Sequence, residues 1–217
     1  MWLDDLMARP QTNWPNEPAC ITSNNMTKAL NAEFRRIKRQ HTDAIRKTVA
    51  RGALGPSVVR VFAEGTRDAL LPVLPKIDVD RLPTVASEAK YSAWFDRNLE
   101  RVARVIRFHN AGNSRIRPGL KWGHASKVMS LYVRDLVLKS RYFSDADSMK
   151  IAPYLHVPID GVVMDRLRAL GVPLPFKLIK DIDTRAKFYF LQNSLEVVAR
   201  AHEVPRVWFD DNWGDRQ

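Results

Sequence analysis

Residues 122–140, WGHASKVMSLYVRDLVLKS, decide the fold class of this chain. Apolar side chains recur through this stretch at three- and four-residue steps, at Ala125, Val128, Met129, Tyr132 and Leu136. This period is typical of one face of an amphipathic helix. Outward from this stretch, similar spacing predicts helices from about 27 to a stop at Gly52, and at about 56–71, 87–109, 146–152, 158–170 and 181–202. Since alternating strand patterns are nearly absent, the sequence predicts an all-α fold.

These helices are predicted to form a single domain over residues 1–217, a compact multi-helix fold with two helical lobes and a cleft between them. Two Pro-rich connectors, 72–83 and 172–175, contain apolar residues that require burial, so neither is predicted to be a flexible linker. Pro and Asn crowd residues 10–25, and residues 1–27 are therefore predicted to form an irregular N-terminal strap. The helix at about 87–109 is predicted to face inward with Ala89, Ala93, Val102 and Ile106.

The composition indicates an anionic partner. The chain has 35 Lys and Arg against 24 Asp and Glu, which gives a net charge of +11 and a pI near 10.0. Nucleic acid is the first prediction for this partner, and an anionic membrane surface is the alternative. No apolar run approaches the roughly 18 residues of a membrane span, and the basic helix faces lack the edge of large aromatic residues that a membrane-surface helix has. No membrane partner is therefore predicted.

Cysteine and histidine usage narrows the chemistry. The single cysteine, Cys20, excludes an internal disulfide and a cysteine-rich zinc module, and it favours a cytoplasmic location. The five histidines lack metal-ligand spacing, so no metal is predicted. Phosphate-loop, dinucleotide-binding and serine-hydrolase motifs are absent from the sequence, and no cofactor is predicted.

Basic residues concentrate between residues 97 and 121. Arg97, Arg101 and Arg104 follow one another at i, i+4 and i+7 on a predicted helix, so their side chains lie on one face. The loop 110–119 follows and contains two basic residues, Arg115 and Arg117. A third basic residue, Lys121, comes shortly after the loop. Flexible backbone, guanidinium donors and a following helix start favour phosphate contacts, and the alternative is a solvated helix face.

A hairpin and an aspartate follow. Residues 118–134, PGLKWGHASKVMSLYVR, contain a Pro-Gly turn, a second glycine at Gly123 and then a helix that begins with small residues. This pattern predicts a tight α-hairpin whose backbone N–H groups face an anion. In the later stretch 154–171, Pro158 and Asp160 mark another helix start, where the helix dipole favours negative charge.

This arrangement resembles the helix-hairpin-helix DNA glycosylases, the superfamily that contains endonuclease III and the 8-oxoguanine glycosylases. In that family a Leu-Pro-Gly-Val-Gly-x-Lys-x-Ala hairpin holds the phosphate backbone, and a later Val-Asp-x-His or Leu-Asp-x-His segment supplies the essential aspartate. The matching stretches here are Gly119 with Gly123-His124-Ala125-Ser126, and Pro158-Ile159-Asp160, within about 115–170. The chain departs from the family pattern at two positions, because the family lysine falls on Ala125, two positions before Lys127, and the family histidine is Val162.

The resemblance implies a DNA glycosylase that flips a damaged or modified base out of double-stranded DNA and hydrolyses its N-glycosidic bond, in DNA repair or antiviral defence. Asp160 would stabilise the oxocarbenium-like transition state and orient water. Lys127 is a candidate Schiff-base nucleophile or phosphate contact, and a monofunctional enzyme acting as a monomer is favoured over a glycosylase/lyase. The alternative function is a non-enzymatic all-α module that binds DNA or RNA through the 97–127 surface.

Further residues are assigned to this site. The hairpin is predicted to contact DNA through Trp122, Gly123, His124 and Ser126, and a pocket for the flipped base is predicted to include His156, Trp208, Phe209 and Trp213. An interior histidine and a C-terminal hydrophobic plug on the core are the alternatives for the pocket residues.

Overall fold

A computed structural model of the chain describes residues 23–85, 87–108 and 121–213. The fold is all-α, as predicted, and the β-structure of the described residues is one isolated antiparallel bridge between Phe62 and Phe108. The α-helices are α1 (Ser23–Ala53), α2 (Pro56–Val59), α3 (Thr66–Leu70), α4 (Glu88–Val105), α5 (Lys121–Leu138), α6 (Asp145–Ile151), α7 (Gly161–Ala169), α8 (Arg185–Ala201) and α9 (Trp208–Trp213). Short 3-10 helices occupy Leu74–Lys76, Val79–Thr84, Ala152–Tyr154 and Ile179–Asp181. None of the described helices is long and apolar enough to cross a membrane.

The chain divides into two compact units, residues 1–41 and 42–217, and the division falls inside α1. The described part of the first unit is helical from Ser23, so the predicted strap of residues 1–27 is wrong for its last five residues, and residues 1–22 lie outside the described residues. The α1 helix also continues through Gly52, which was predicted to stop it, and ends at Ala53. The prediction of one domain with two lobes and a cleft stays a prediction.

The second unit is built around α5. This helix packs against α4, α6, α8 and the 3-10 helix Ile179–Asp181. Its predicted stripe is fully buried at Ala125, Val128, Met129, Tyr132 and Leu136, which confirms the helical interpretation of that stretch. The neighbours on several sides also bury Val133 and Val137, so the apolar face is wider than a surface helix needs.

The face that α4 turns to the core agrees with the prediction only towards the C-terminal end of the helix. Ala89 and Ala93 are exposed, which corrects the prediction, whereas Val102 and Ile106 are buried as predicted. The inner face is filled instead by the larger side chains Tyr91, Trp94, Phe95 and Leu99. Aromatic side chains remove more apolar surface from water than alanines do, so they determine which face is buried. Ser87 begins the helix by accepting a hydrogen bond from the backbone N–H of Lys90 at 3.3 Å.

Candidate functional site

Asp160 is fixed at the start of α7. Its Oδ1 atom accepts a hydrogen bond from the backbone N–H of Val163 at 3.1 Å, which makes Asp160 the N-cap of the helix. The preceding segment is held by Gln192 on α8, whose side-chain amide donates to the carbonyl of Val157 at 2.8 Å and accepts from its N–H at 2.9 Å. Gln192 is fully buried. The carboxylate therefore stands on a rigid segment although that segment has no regular secondary structure.

Lys127 meets Asp160 from the side of α5. Its Nζ atom lies 3.3 Å from Oδ2 of Asp160, and both side chains are partly buried, with 15% and 31% of their surface exposed. The two residues are 33 positions apart in the chain, and the tertiary fold brings them together. The structure therefore places both predicted catalytic residues side by side.

This ion pair lines a pocket of about 290 Å³. On one side the lining includes His124 from α5, one turn before Lys127, and Gly161 and Val162 from α7. The lining also includes the short segment around α2, with Ser57, Val58, Arg60, Val61 and Phe62. Ile179 completes the lining. The pocket thus combines apolar walls with a few charged and polar groups, as ligand sites commonly do.

His124 stands among aromatic rings at this pocket. Its ring centroid lies 4.9 Å from that of Phe108 and 6.2 Å from that of Phe62, both in edge-to-face geometry. Phe108 precedes the basic segment 109–120, whose residues Arg115 and Arg117 lie outside the described residues. Phe108, the last described residue before this segment, therefore contacts two residues that line the pocket, His124 and Phe62.

Gly123 has a packing role that differs from the predicted contact with DNA. Its N–H donates to the carbonyl of Ile182 at 2.9 Å, and a Cβ atom at this position would lie 2.3 Å from the carbonyl oxygen of Ile179. The predicted contact of Ser126 is wrong as well, because this residue is fully buried and its hydroxyl donates to the carbonyl of Gly123 at 3.0 Å. The first turn of α5 is therefore bonded within the protein.

Trp122 packs on the core. Its ring centroid lies 5.5 Å from that of Phe188 and 6.5 Å from that of Tyr189, and the side chain is half-buried. These contacts give Trp122 a structural role, and its predicted contact with DNA stays a prediction. The side chain of Lys121 lies outside the described residues.

His156 is an interior histidine, so its predicted place in a base pocket is wrong. The side chain is 1% exposed, and the rings of Tyr91, Phe95, Phe188 and Tyr189 surround it at centroid distances of 4.5–5.4 Å. Its Nε2 atom lies 3.7 Å from a carboxylate oxygen of Glu88, beyond hydrogen-bond distance. Burial lowers the pKa of His156 to about 4, and the nearby Arg206 acts in the same direction, while Glu88 opposes both.

The C-terminal aromatics also lie away from the Asp160 pocket. The α9 helix packs against α7, and Phe209 is partly buried against the core, as a hydrophobic plug would be. Trp208 is exposed at 42% of its surface, and neither residue lines the pocket. The base-pocket prediction is therefore wrong for both, and the side chain of Trp213 lies outside the described residues.

The predicted row of arginines on α4 is exposed. Arg97, Arg101 and Arg104 all present solvent-accessible side chains, and Arg104 lies 3.8 Å from Glu100 on the next turn. An exposed pair of this kind contributes little to stability, so these side chains are accessible to an anionic partner.

Sequence reasoning missed the wall formed by residues 57–62. This segment contains no motif, and the antiparallel bridge that joins Phe62 to Phe108 crosses 46 positions of the chain, as the residue numbers show. Only the packing of distant helices brings Arg60 and Phe62 to Asp160.

Two further findings bear on the class of the site. The described residues contain no group of three or more His, Cys, Asp or Glu side chains that could hold a metal ion. Comparison of the chain with protein-family models, with curated proteins and with solved structures finds no significant match.

Proposed function

We propose that the chain is a DNA glycosylase that hydrolyses the N-glycosidic bond of a flipped, damaged or modified base. The observation that carries this proposal is the position of Asp160, a carboxylate at a helix start that lines a pocket together with Lys127. The pocket volume of about 290 Å³ is at the lower end of the range for ligand sites, and it suits a single planar base.

The carboxylate supplies the charge that this reaction requires. Cleavage of the N-glycosidic bond develops positive charge on the deoxyribose, and a carboxylate beside C1′ stabilises that charge. The Asp160 Oδ1 atom remains bonded to Val163, so the carboxylate keeps its orientation while the substrate changes. A fixed orientation reduces the reorganisation that the transition state demands.

Lys127 acts as a positioning residue for Asp160 in this proposal. Its Nζ atom donates to Oδ2 of the carboxylate, whereas a Schiff-base nucleophile needs an unprotonated amine. Hydrolysis by water with no strand cleavage is therefore the favoured outcome, and the enzyme is monofunctional.

Binding of the DNA backbone is supported by charge. The net charge of +11 and the exposed row of Arg97, Arg101 and Arg104 suit a polyanion. Phe108, the last described residue before the basic segment 109–120, packs against His124 at the pocket, which favours contacts of Arg115 and Arg117 with phosphates close to the flipped nucleotide.

The test uses duplexes that contain different modified bases, followed by hot alkali to cleave abasic sites. Asp160→Asn is expected to lose excision while it keeps affinity, because the asparagine side chain can still cap α7. Asp165→Asn is the matched control, since Asp165 lies on the same helix with an exposed side chain. Excision by Asp160→Asn at the rate of the control contradicts the proposal.

A second candidate function is a non-enzymatic module that binds DNA or RNA through the 97–127 surface. The exposed arginine row on α4 favours it without any need for the pocket. Affinity for duplexes with no base released from any modified substrate identifies this module. Strand cleavage without alkali identifies instead a glycosylase/lyase that uses Lys127.

A further inference from the structure

Arg60 lines the candidate active site and its side chain has no partner among the residues that the structure describes. Of the charged side chains that line the pocket, Lys127 and Asp160 form an ion pair with each other. No hydrogen bond or ion pair among residues 23–85, 87–108 and 121–213 reaches the Arg60 guanidinium. Arg60 therefore leaves the pocket with an excess of positive charge.

The backbone at Arg60 is held in place on both sides. Val58 and Phe62, two positions before and after it, are buried in the core, and the Arg60 N–H donates to the carbonyl of Pro56 at 3.2 Å. Ala63, which follows Phe62, donates its N–H to the carbonyl of Arg107 at 2.8 Å. A side chain on a fixed backbone loses less entropy when it binds a ligand.

The remaining groups on this wall fit a nucleotide. The Ser57 hydroxyl lines the same pocket and adds a hydrogen-bond donor, while Val58, Val61 and Phe62 offer apolar surface to a planar base. A guanidinium and a hydroxyl together match the oxygens of an anionic group. Because Asp160 repels an anionic group, we expect that group to lie closer to Arg60 than to Asp160.

We infer that Arg60, with Ser57, binds an oxyanion carried by the nucleotide whose base enters the pocket. This inference rests on the proposed function. Two sources can supply the oxyanion, a backbone phosphate next to the flipped nucleotide or an acidic group on the base. Because every flipped nucleotide brings its own phosphates, the phosphate is the expected source.

The first arm of the test measures affinity for a duplex that carries a tetrahydrofuran abasic-site analogue. In two further duplexes, the phosphate on the 5′ or the 3′ side of the analogue is replaced by a neutral methylphosphonate. Neutralising the phosphate that Arg60 binds is expected to lower the affinity of the wild type for the duplex by about tenfold. Arg60→Gln is expected to bind the unmodified analogue duplex about tenfold more weakly than the wild type does. Replacing the same phosphate by a methylphosphonate is then expected to lower the affinity of this variant little further. Its slope of log K against log salt is expected to be smaller by about 0.9.

Two controls separate this contact from general electrostatic attraction. Arg166→Gln removes another exposed arginine, on α7, that does not line the pocket. A methylphosphonate placed several nucleotides from the analogue neutralises a phosphate outside the site. Each control is expected to lower affinity by the same factor in the wild type and in Arg60→Gln, because neither change involves the contact that Arg60 makes.

The second arm compares duplexes that contain cytosine or 5-carboxycytosine. If Arg60→Gln weakens binding only of the carboxylated duplex, the oxyanion belongs to the base. If the losses from Arg60→Gln and from each methylphosphonate simply add, and the carboxylate makes no difference, the inference is overturned. The abasic analogue has no base to release, so these results are independent of excision. Failure of the glycosylase proposal is measured separately through Asp160→Asn.

Discussion

The two carboxylate oxygens of Asp160 have different partners. Oδ1 accepts from the Val163 N–H at 3.1 Å, and Oδ2 accepts from Lys127 Nζ at 3.3 Å. The first contact depends on an oxygen atom, while the second depends on negative charge. Two substitutions can therefore separate the structural role of this residue from its chemical role.

Asp160→Ala is expected to lower the free energy of unfolding by about 1 kcal/mol, because the N-cap of α7 is lost. Asp160→Asn retains a capping oxygen and is expected to change stability by less than about half of that amount. Both variants are expected to lose excision. Urea denaturation measures the first quantity, and an equal loss of stability in the two variants would show that charge, and not the cap, supports the fold.

His156 predicts a dependence of stability on pH. Burial holds its pKa at about 4 in the folded chain, whereas an unfolded histidine titrates near 6.5. Between these values the unfolded state binds more protons, so stability falls as the pH decreases from about 6.5 towards about 4. This loss is expected to reach roughly 1–3 kcal/mol. His156→Gln removes the titrating group, and urea midpoints measured across this range are expected to vary less with pH than those of the wild type.

At the level of elements, the contact between α5 and the 3-10 helix Ile179–Asp181 requires a glycine. A side chain at Gly123 would meet the backbone of Ile179, which lines the pocket, so the strain cannot be relieved by a rotamer change. The packing of α5 and the geometry of the pocket therefore both depend on the absence of a side chain at Gly123.

Gly123→Ala is expected to destabilise the protein by roughly 1–3 kcal/mol and to reduce excision, because Ile179 must move. Gly52→Ala is the matched control, since a Cβ atom at Gly52, near the end of α1, meets no atom within 4 Å. Alanine favours a helix more than glycine does, so the control is expected to keep or gain up to about 1 kcal/mol. Thermal unfolding compares the two variants, and equal stability changes would contradict the close contact.

The sequence predicts elements better than the contacts between them. The stripe on α5 is a local pattern and was predicted correctly. A helix start near Asp160 was also predicted, but at Pro158 with Asp160 in the first turn, whereas α7 begins at Gly161 and Asp160 is its N-cap. Gly123 shows where such reasoning ends: a glycine indicates a close approach, but whether a phosphate or another helix approaches depends on the tertiary fold. For the same reason the sequence does not predict that Arg60 lines the pocket, because it lies 100 positions from Asp160 in the chain.

For the whole molecule, the net charge of +11 predicts binding to DNA with a strong dependence on salt. Each phosphate that a lysine or arginine neutralises adds about −0.9 to the slope of log K against log salt. Replacing Arg97, Arg101 and Arg104 together by glutamine is expected to make this slope smaller by up to about three such steps. Fluorescence anisotropy at several salt concentrations measures the slope, and an affinity that does not change with salt would contradict the prediction.

The hydrogen bonds that hold the segment before Asp160 have a consequence for slow motions of the molecule. Gln192 binds both backbone groups of Val157, and the buried Arg206 donates to the carbonyls of Tyr154 and Leu155. The Val157 amide is therefore expected to exchange its hydrogen for deuterium as slowly as amides in the middle of α5, although it lies outside any helix. Exchange of this amide would then report global unfolding, so the segment that leads into Asp160 would keep its conformation for as long as the chain remains folded.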